Sequence, residues 1–128
     1  MSEKRVVRTE AAPAPFQGAP YSQAIAAGEF VFVSGQLGLK PGDTAISGSI
    51  EDQTEQVFAN LKAILEAAGS SLDRVVKTTC FLSDLGNFSA FNEVYRRHFD
   101  SSFPARSTFG VSLPAGLLVE VEAIAAVA

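Results

Sequence analysis

The chain has 128 residues, 47% of them hydrophobic and 19% charged, with a formal net charge of −4. That is the size of one domain and the composition of a folded chain, and the acidic balance argues against nucleic acid or an anionic membrane as the main partner. A single Cys and a single His exclude an intrachain disulfide and a zinc site built from several nitrogen and sulfur ligands.

Met1 to Pro15 mixes charges with Ala and Pro and has no apolar run, so no signal peptide is expected there. No stretch of eighteen apolar residues suggests a membrane helix, and a cytoplasmic compartment is expected. Arg5 to Thr9 predicts a short edge strand, and the Pro/Ala-rich Glu10 to Pro20 an irregular connection. Tyr21–Ala27 and Phe30–Leu37 alternate as strands around Gly28-Glu29, a hairpin turn. Pro41-Gly42-Asp43 marks a surface loop. Ser49 with Asp52 three residues later predicts a capping box opening a helix, whose apolar face is Val57, Leu61, Ile64, Leu65 and Ala68. Gly69 is placed to end it in a left-handed conformation. Arg74–Leu82 alternates as a strand, and Asn87–Phe99 returns to a helical period with Phe88, Phe91, Tyr95 and Phe99. Beyond Pro104, Ala105–Leu113 and Leu117–Val127 are expected to form a final hairpin across Pro114-Ala115-Gly116.

The order ββ-α-β-α-ββ, after the short edge strand, describes one α+β domain over residues 1–128, with two helices covering one face of a mixed sheet. The other face keeps apolar groups from the central strands, a pattern that predicts a subunit interface. In the last strand, alternation sets Glu120 and Glu122 beside Leu118 and Ile124, away from the apolar Val119, Val121 and Ala123. Two arrangements satisfy these carboxylates: a solvated outer face, or a polar cleft between subunits holding a cation or water. Arg106, placed by the expected hairpin in the neighbouring strand, offers a planar fork suited to a carboxylate. On residue types alone, a substrate clamp and a plain ion pair to Glu120 or Glu122 are equally open.

Other polar residues carry less on their own. Asn92 follows Phe91 on the helical stripe and suits a holding role. Cys80 reads as a core thiol, and His98 with Arg96 and Arg97 as cations closing a helix C-terminus. No phosphate loop, nucleophile elbow or dinucleotide fingerprint occurs.

Taken in order, Gly-Ala-Pro-Tyr21-Ser22-Gln23, Phe-Val-Ser34-Gly35-Gln36, the run Gln53 to Lys62, Val-Val-Lys77-Thr78-Thr79, Phe-Asn92-Glu-Val-Tyr95, Phe-Pro104-Ala105-Arg106-Ser107 and Val119 to Ala125 resemble the RidA (YjgF-type) family. The resemblance runs from about Arg5 to the end, and its most specific block is Pro-Ala-Arg-Ser. It implies a chorismate-mutase-like α+β fold assembled as a homotrimer with clefts between subunits. It also implies hydrolytic deamination of 2-imino and enamine acids, such as 2-aminoacrylate, without a cofactor or metal. Arg106 matches the arginine that grips the substrate carboxylate, and Glu120 the glutamate that positions a water. Tyr21, Ser34, Gly35 and Asn92 match residues lining the cleft. Thr108 stands where many members have Cys, so a thiol role does not transfer, although its backbone N–H is available to the substrate carboxylate. Ala19 separates Gly18 from Pro20 where Gly-Pro is usual. The competing function is a non-catalytic regulatory module that binds a small carboxylate or keto acid in the same cleft. An RNA-directed role finds no basic aromatic stripe to support it.

Overall fold

Alternating apolar residues build three antiparallel strands at the start of the computed structural model, which describes residues 3–100 and 102–127. They are β1 (Arg5–Val7), β2 (Ala24–Ala27) and β3 (Phe30–Leu37). A two-residue turn joins β2 to β3, and Gly28 supplies the positive φ of 58° that it requires. Tyr21, Ser22 and Gln23 leave the sheet pattern and lie in the loop ahead of β2, where the Gln23 side chain is committed to the preceding connection.

Helix α1 (Ile50–Ala67) opens on the expected capping box. The Asp52 N–H donates to Ser49 Oγ at 3.1 Å, and the Ser49 N–H donates back to Asp52 Oδ2 at 3.4 Å. Gly69, at φ +81°, follows its last turn as anticipated. Then come β4 (Val75–Leu82), α2 (Phe88–Arg97), β5 (Ala105–Gly110) and β6 (Val119–Ala126). Both helices lie on one sheet face, sharing a core in which Phe58, Leu61, Ile64 and Phe91 meet Val31, Cys80, Val119 and Val121.

The six strands run in the order β1-β2-β3-β6-β4-β5, which overturns the expected final hairpin. Strand β5 is an edge strand parallel to β4, with Arg106 opposite Thr78, while β6 inserts antiparallel between β3 and β4. Two physical reasons favour this arrangement. The strand–helix–strand run β4–α2–β5 returns as a parallel crossover, with the helix spanning the sheet. The Val/Ala face of β6 is buried along its length, which suits a central strand, whereas β5 carries Arg106, Ser107 and Thr108.

The outer face carries apolar groups, as the residue pattern implied, beside the polar Thr79, Glu120 and Glu122. Phe32 is 45% exposed and Phe109 51% exposed on it, with Phe30 beside Phe32 and Phe81 stacked on Phe109.

Candidate functional site

Arg106 rests on a stripe of α2. Phe88, Phe91, Asn92 and Tyr95 recur at helical spacing and so share one face. The Arg106 guanidinium carbon lies 5.6 Å from the Phe88 ring centre, 5.7 Å from that of Phe91 and 4.8 Å from that of Tyr95. At those distances the ring faces attract the cation. Its Nη1 donates to Asn92 Oδ1 at 2.9 Å. Tyr95 is fixed in turn by a 2.8 Å hydrogen bond between its hydroxyl and Thr78 Oγ1. Among the described residues Arg106 forms no ion pair, so the alternative of a bridge to Glu120 or Glu122 is not realised within the chain. A cavity of about 240 Å³ opens beside it.

Glu120 occupies a seat of a different kind. Strand β3 gains one residue relative to β6 between Val33 and Gln36, so Ser34 and Gly35 form a bulge. A side chain at Gly35 would run into the Glu120 carboxylate; glycine there makes the room that the carboxylate occupies. Ser34 is pinned by its Oγ donating to the Ser22 carbonyl at 2.6 Å and its N–H to the Gln23 carbonyl at 2.9 Å. Tyr21 closes the seat, its hydroxyl accepting the Phe16 N–H at 2.5 Å. A cavity of about 300 Å³ is lined here by Tyr21, Ser34, Gly35, Leu37, Pro114 and Glu120.

Gln23, noted in the sequence only as part of the Tyr21-Ser22-Gln23 block, has a clamping role that sequence reasoning missed. It is 4% exposed, and its amide closes the connection ahead of β2. Oε1 accepts the Thr9 N–H at 2.7 Å, while Nε2 donates to the carbonyls of Thr9 at 3.0 Å, Ala12 at 3.2 Å and Pro13 at 2.8 Å. That clamp holds the strap carrying Phe16 against Tyr21. A buried Gln beside a Pro-rich loop has no periodic signature, and only its partners reveal its role.

The structure therefore sorts the anticipated residues into two groups. Arg106, Asn92 and Thr108 belong to the helix-covered side of β5; Tyr21, Ser34, Gly35 and Glu120 belong to the outer side. Arg106 is opposite Thr78 and Glu120 opposite Phe81, on strands flanking β4 from either side. Three residues along and two strands across separate them by about 14 Å, and the odd step sets them on opposite faces. The expectation that they neighbour each other on a hairpin is corrected: within one chain they do not meet.

Burial, and secondarily the Glu122 carboxylate, hold the Glu120 carboxyl above its usual range. Burial also raises the Tyr95 phenol, against the opposing effect of Thr78. Cys80 is fully buried and its thiol is pushed up to about 11 by burial, opposed by Thr78, Arg106 and Thr108. It is a neutral core thiol, as its surroundings in the sequence suggested. Thr108 pairs with Cys80 across β4 and β5, and its Oγ1 is buried with no hydrogen-bond partner among the described residues. His98 stacks on Phe58 at 4.5 Å and its Nε2 lies 3.1 Å from Glu55 Oε1, which ties α2 to α1. Among the described residues no group of three or more His, Cys, Asp or Glu side chains is placed to hold a metal ion. No helix among them is long and apolar enough to cross a membrane.

Comparison with known proteins places this geometry among relatives. Residues 9–127 match the family described as Endoribonuclease L-PSP. A RutC family protein of Pyrococcus horikoshii is 52% identical over 124 residues, covering 95% of this chain and 97% of the relative. The 2-iminobutanoate/2-iminopropanoate deaminase of Dermatophagoides farinae is 43% identical over 126 residues, covering 97% of each. The crystal structure of RidA from an Antarctic Psychrobacter superposes with a TM-score of 0.90 at 42% identity, covering 96% of this chain and 99% of that one.

Proposed function

The chain belongs to the RidA (YjgF-type) family, the group described as Endoribonuclease L-PSP, and we propose that it hydrolyses reactive 2-imino and enamine acids to 2-keto acids and ammonia. The observation that carries this reading is Arg106. Its guanidinium sits on three aromatic rings with one neutral amide partner and no acidic partner among the described residues. Such a cation retains N–H donors for an incoming carboxylate, which it grips through two parallel bonds. The deaminase name borne by relatives such as the Dermatophagoides farinae protein supports the reaction type.

In the proposed reaction, Arg106 holds the 2-imino acid by its carboxylate, with the Thr108 N–H as a further donor, and the adjacent imine carbon is the electrophile. Glu120 holds a water against that carbon, contributing through proximity. The water oxygen bonds to carbon, the C=N π pair moves to nitrogen, and Glu120 accepts the water proton. The carboxyl then returns that proton to nitrogen. The hydroxyl proton then passes through Glu120 to the amine nitrogen as the hydroxyl oxygen forms the carbonyl and the C–N bond breaks, releasing ammonia. Water and imino acid go in; keto acid and ammonia come out. The raised proton affinity of Glu120 suits both halves of the exchange. Tyr21, Ser34 and Gly35 shape the wall around the water, and Asn92 aims the guanidinium.

A 2-imino acid is too short to span the distance between Arg106 and Glu120 of one chain. We therefore assign the two halves to neighbouring copies in a homotrimer, Arg106 from one and Glu120 from the next. The exposed Phe30, Phe32 and Phe109 supply apolar surface for that assembly. The location assigned to it is the cytoplasm.

The test generates imines in place with an amino-acid oxidase or a pyridoxal-phosphate dehydratase and follows keto-acid formation. Acceleration by the wild-type protein and loss of it in Glu120→Gln are expected. Wild-type protein that binds 2-oxobutanoate yet accelerates no imine would identify a binding module instead.

A further inference from the structure

The cavity beside Arg106 contains a second cation. Arg96 lines it together with Arg106, Asn92, Tyr95 and Phe103, and no carboxylate is part of the lining. Among the described residues neither guanidinium has an acidic partner within ion-pair distance. In a chain of net charge −4, two arginines and no acid among the lining residues make this cavity a locally positive site. The spacing is set by α2. Asn92 and Arg96 are four residues apart on one helix face, with Cβ atoms about 6 Å apart. Asn92 Oδ1 receives Arg106 Nη1, so Arg96 stands one helical turn beyond the carboxylate clamp. The simpler role for Arg96 is to complement the α2 dipole, but its neighbour Arg97 occupies the same last turn and does not line the cavity.

We propose that Arg96 binds a second carboxylate, so that this site prefers 2-imino dicarboxylates, the imines of acidic amino acids, together with their 2-keto dicarboxylate products. The proposal rests on the assignment of Arg106 as the clamp for the first carboxylate. A four- or five-carbon diacid places its far carboxylate about one helical turn from the near one. Arg96 is exposed at the cavity mouth, so water screens the second contact and its expected effect is modest.

Two readouts on the full-length protein test the inference. Calorimetry compares binding of 2-oxoglutarate and 2-oxobutanoate, and the imine assay compares oxidase-generated imines of glutamate and 2-aminobutanoate. The wild type is expected to favour the dicarboxylate by about tenfold in Kd and in KM, a difference near 1.4 kcal/mol. Arg96→Ala is expected to abolish that preference while 2-oxobutanoate binding stays within about twofold, and Arg97→Ala to retain it. Equal wild-type affinity for the two keto acids would overturn the proposal. So would an equal loss for both in Arg96→Ala, or the same loss of preference in Arg97→Ala. A keto-acid preference without imine hydrolysis leaves the second-carboxylate site standing and removes the deaminase reading; hydrolysis without preference does the reverse.

Discussion

The cation seat and the carboxylate seat are built by opposite means. Arg106 is held by side chains: three rings and an amide from one stripe of a regular helix. Glu120 is held by backbone: a bulge in β3, a glycine with no room for a methyl group, and a strap clamped by Gln23. In the proposed reaction the first seat tunes how strongly an anion is attracted. The second fixes where one carboxylate oxygen lies. Under the proposed reaction, binding is expected to tolerate gradual change at the first, whereas catalysis is expected to depend on position at the second.

The variants that break this contrast differ widely in expected size. Glu120→Gln is expected to lower kcat by about 10²–10⁴-fold, the usual contribution of a positioned general base, with keto-acid affinity nearly unchanged. The same variant gains thermal stability at pH 7. A carboxyl whose proton affinity is raised by folding binds protons more tightly folded than unfolded, so the ionised form costs stability, and the gain fades as pH falls through its pKa. Arg106→Lys keeps the charge but loses the fork, and KM for the imine is expected to rise by about 10–100-fold, measured by initial rates. Gly35→Ala introduces one methyl group against Glu120 and is expected to reduce kcat by about tenfold or more with a smaller change in KM. The matching change in the other seat, Phe88→Leu, removes one ring from the guanidinium and is expected to raise KM by only about 2–5-fold. A larger kcat loss in Phe88→Leu than in Gly35→Ala would erase the contrast.

The smallest expected effect concerns pH. Glu120 must be ionised to accept a proton, so kcat/KM falls as pH drops through its raised pKa. Burial is the main cause of that shift and Glu122 the second. Glu122→Gln removes the repulsion, so the acidic limb of the pH–rate profile is expected to move down by less than about one unit. An upward shift would contradict the assignment of Glu120 as the base.

The same contrast explains what the amino-acid sequence reveals. The helix seat is legible because Phe88, Phe91, Asn92 and Tyr95 obey a period, and the capping box at Ser49 and the turn at Gly28 have local chemistry. The carboxylate seat is not. A bulge at Ser34-Gly35 breaks the alternation that strand reading depends on, and Gln23 acts through partners ten to fourteen residues away. Strand order failed for a related reason. Ala105–Gly110 and Val119–Ala126 are adjacent along the chain, and adjacency suggests a hairpin. The crossover through α2 and the burial demanded by the Val/Ala face of β6 outweigh it. The family blocks identify Arg106 and Glu120 together, but only the register shows that one chain holds them apart.

Mixing two inactive variants tests that separation most directly. Arg106→Ala and Glu120→Gln chains, each inactive alone, are unfolded and refolded together at equal ratio, and imine hydrolysis is measured. Sites that join Arg106 of one copy to Glu120 of the next are expected to recover about one quarter of the wild-type rate, the fraction of interfaces receiving both intact halves by random assembly. No recovery, with mixed oligomers shown to have formed, would contradict the shared site.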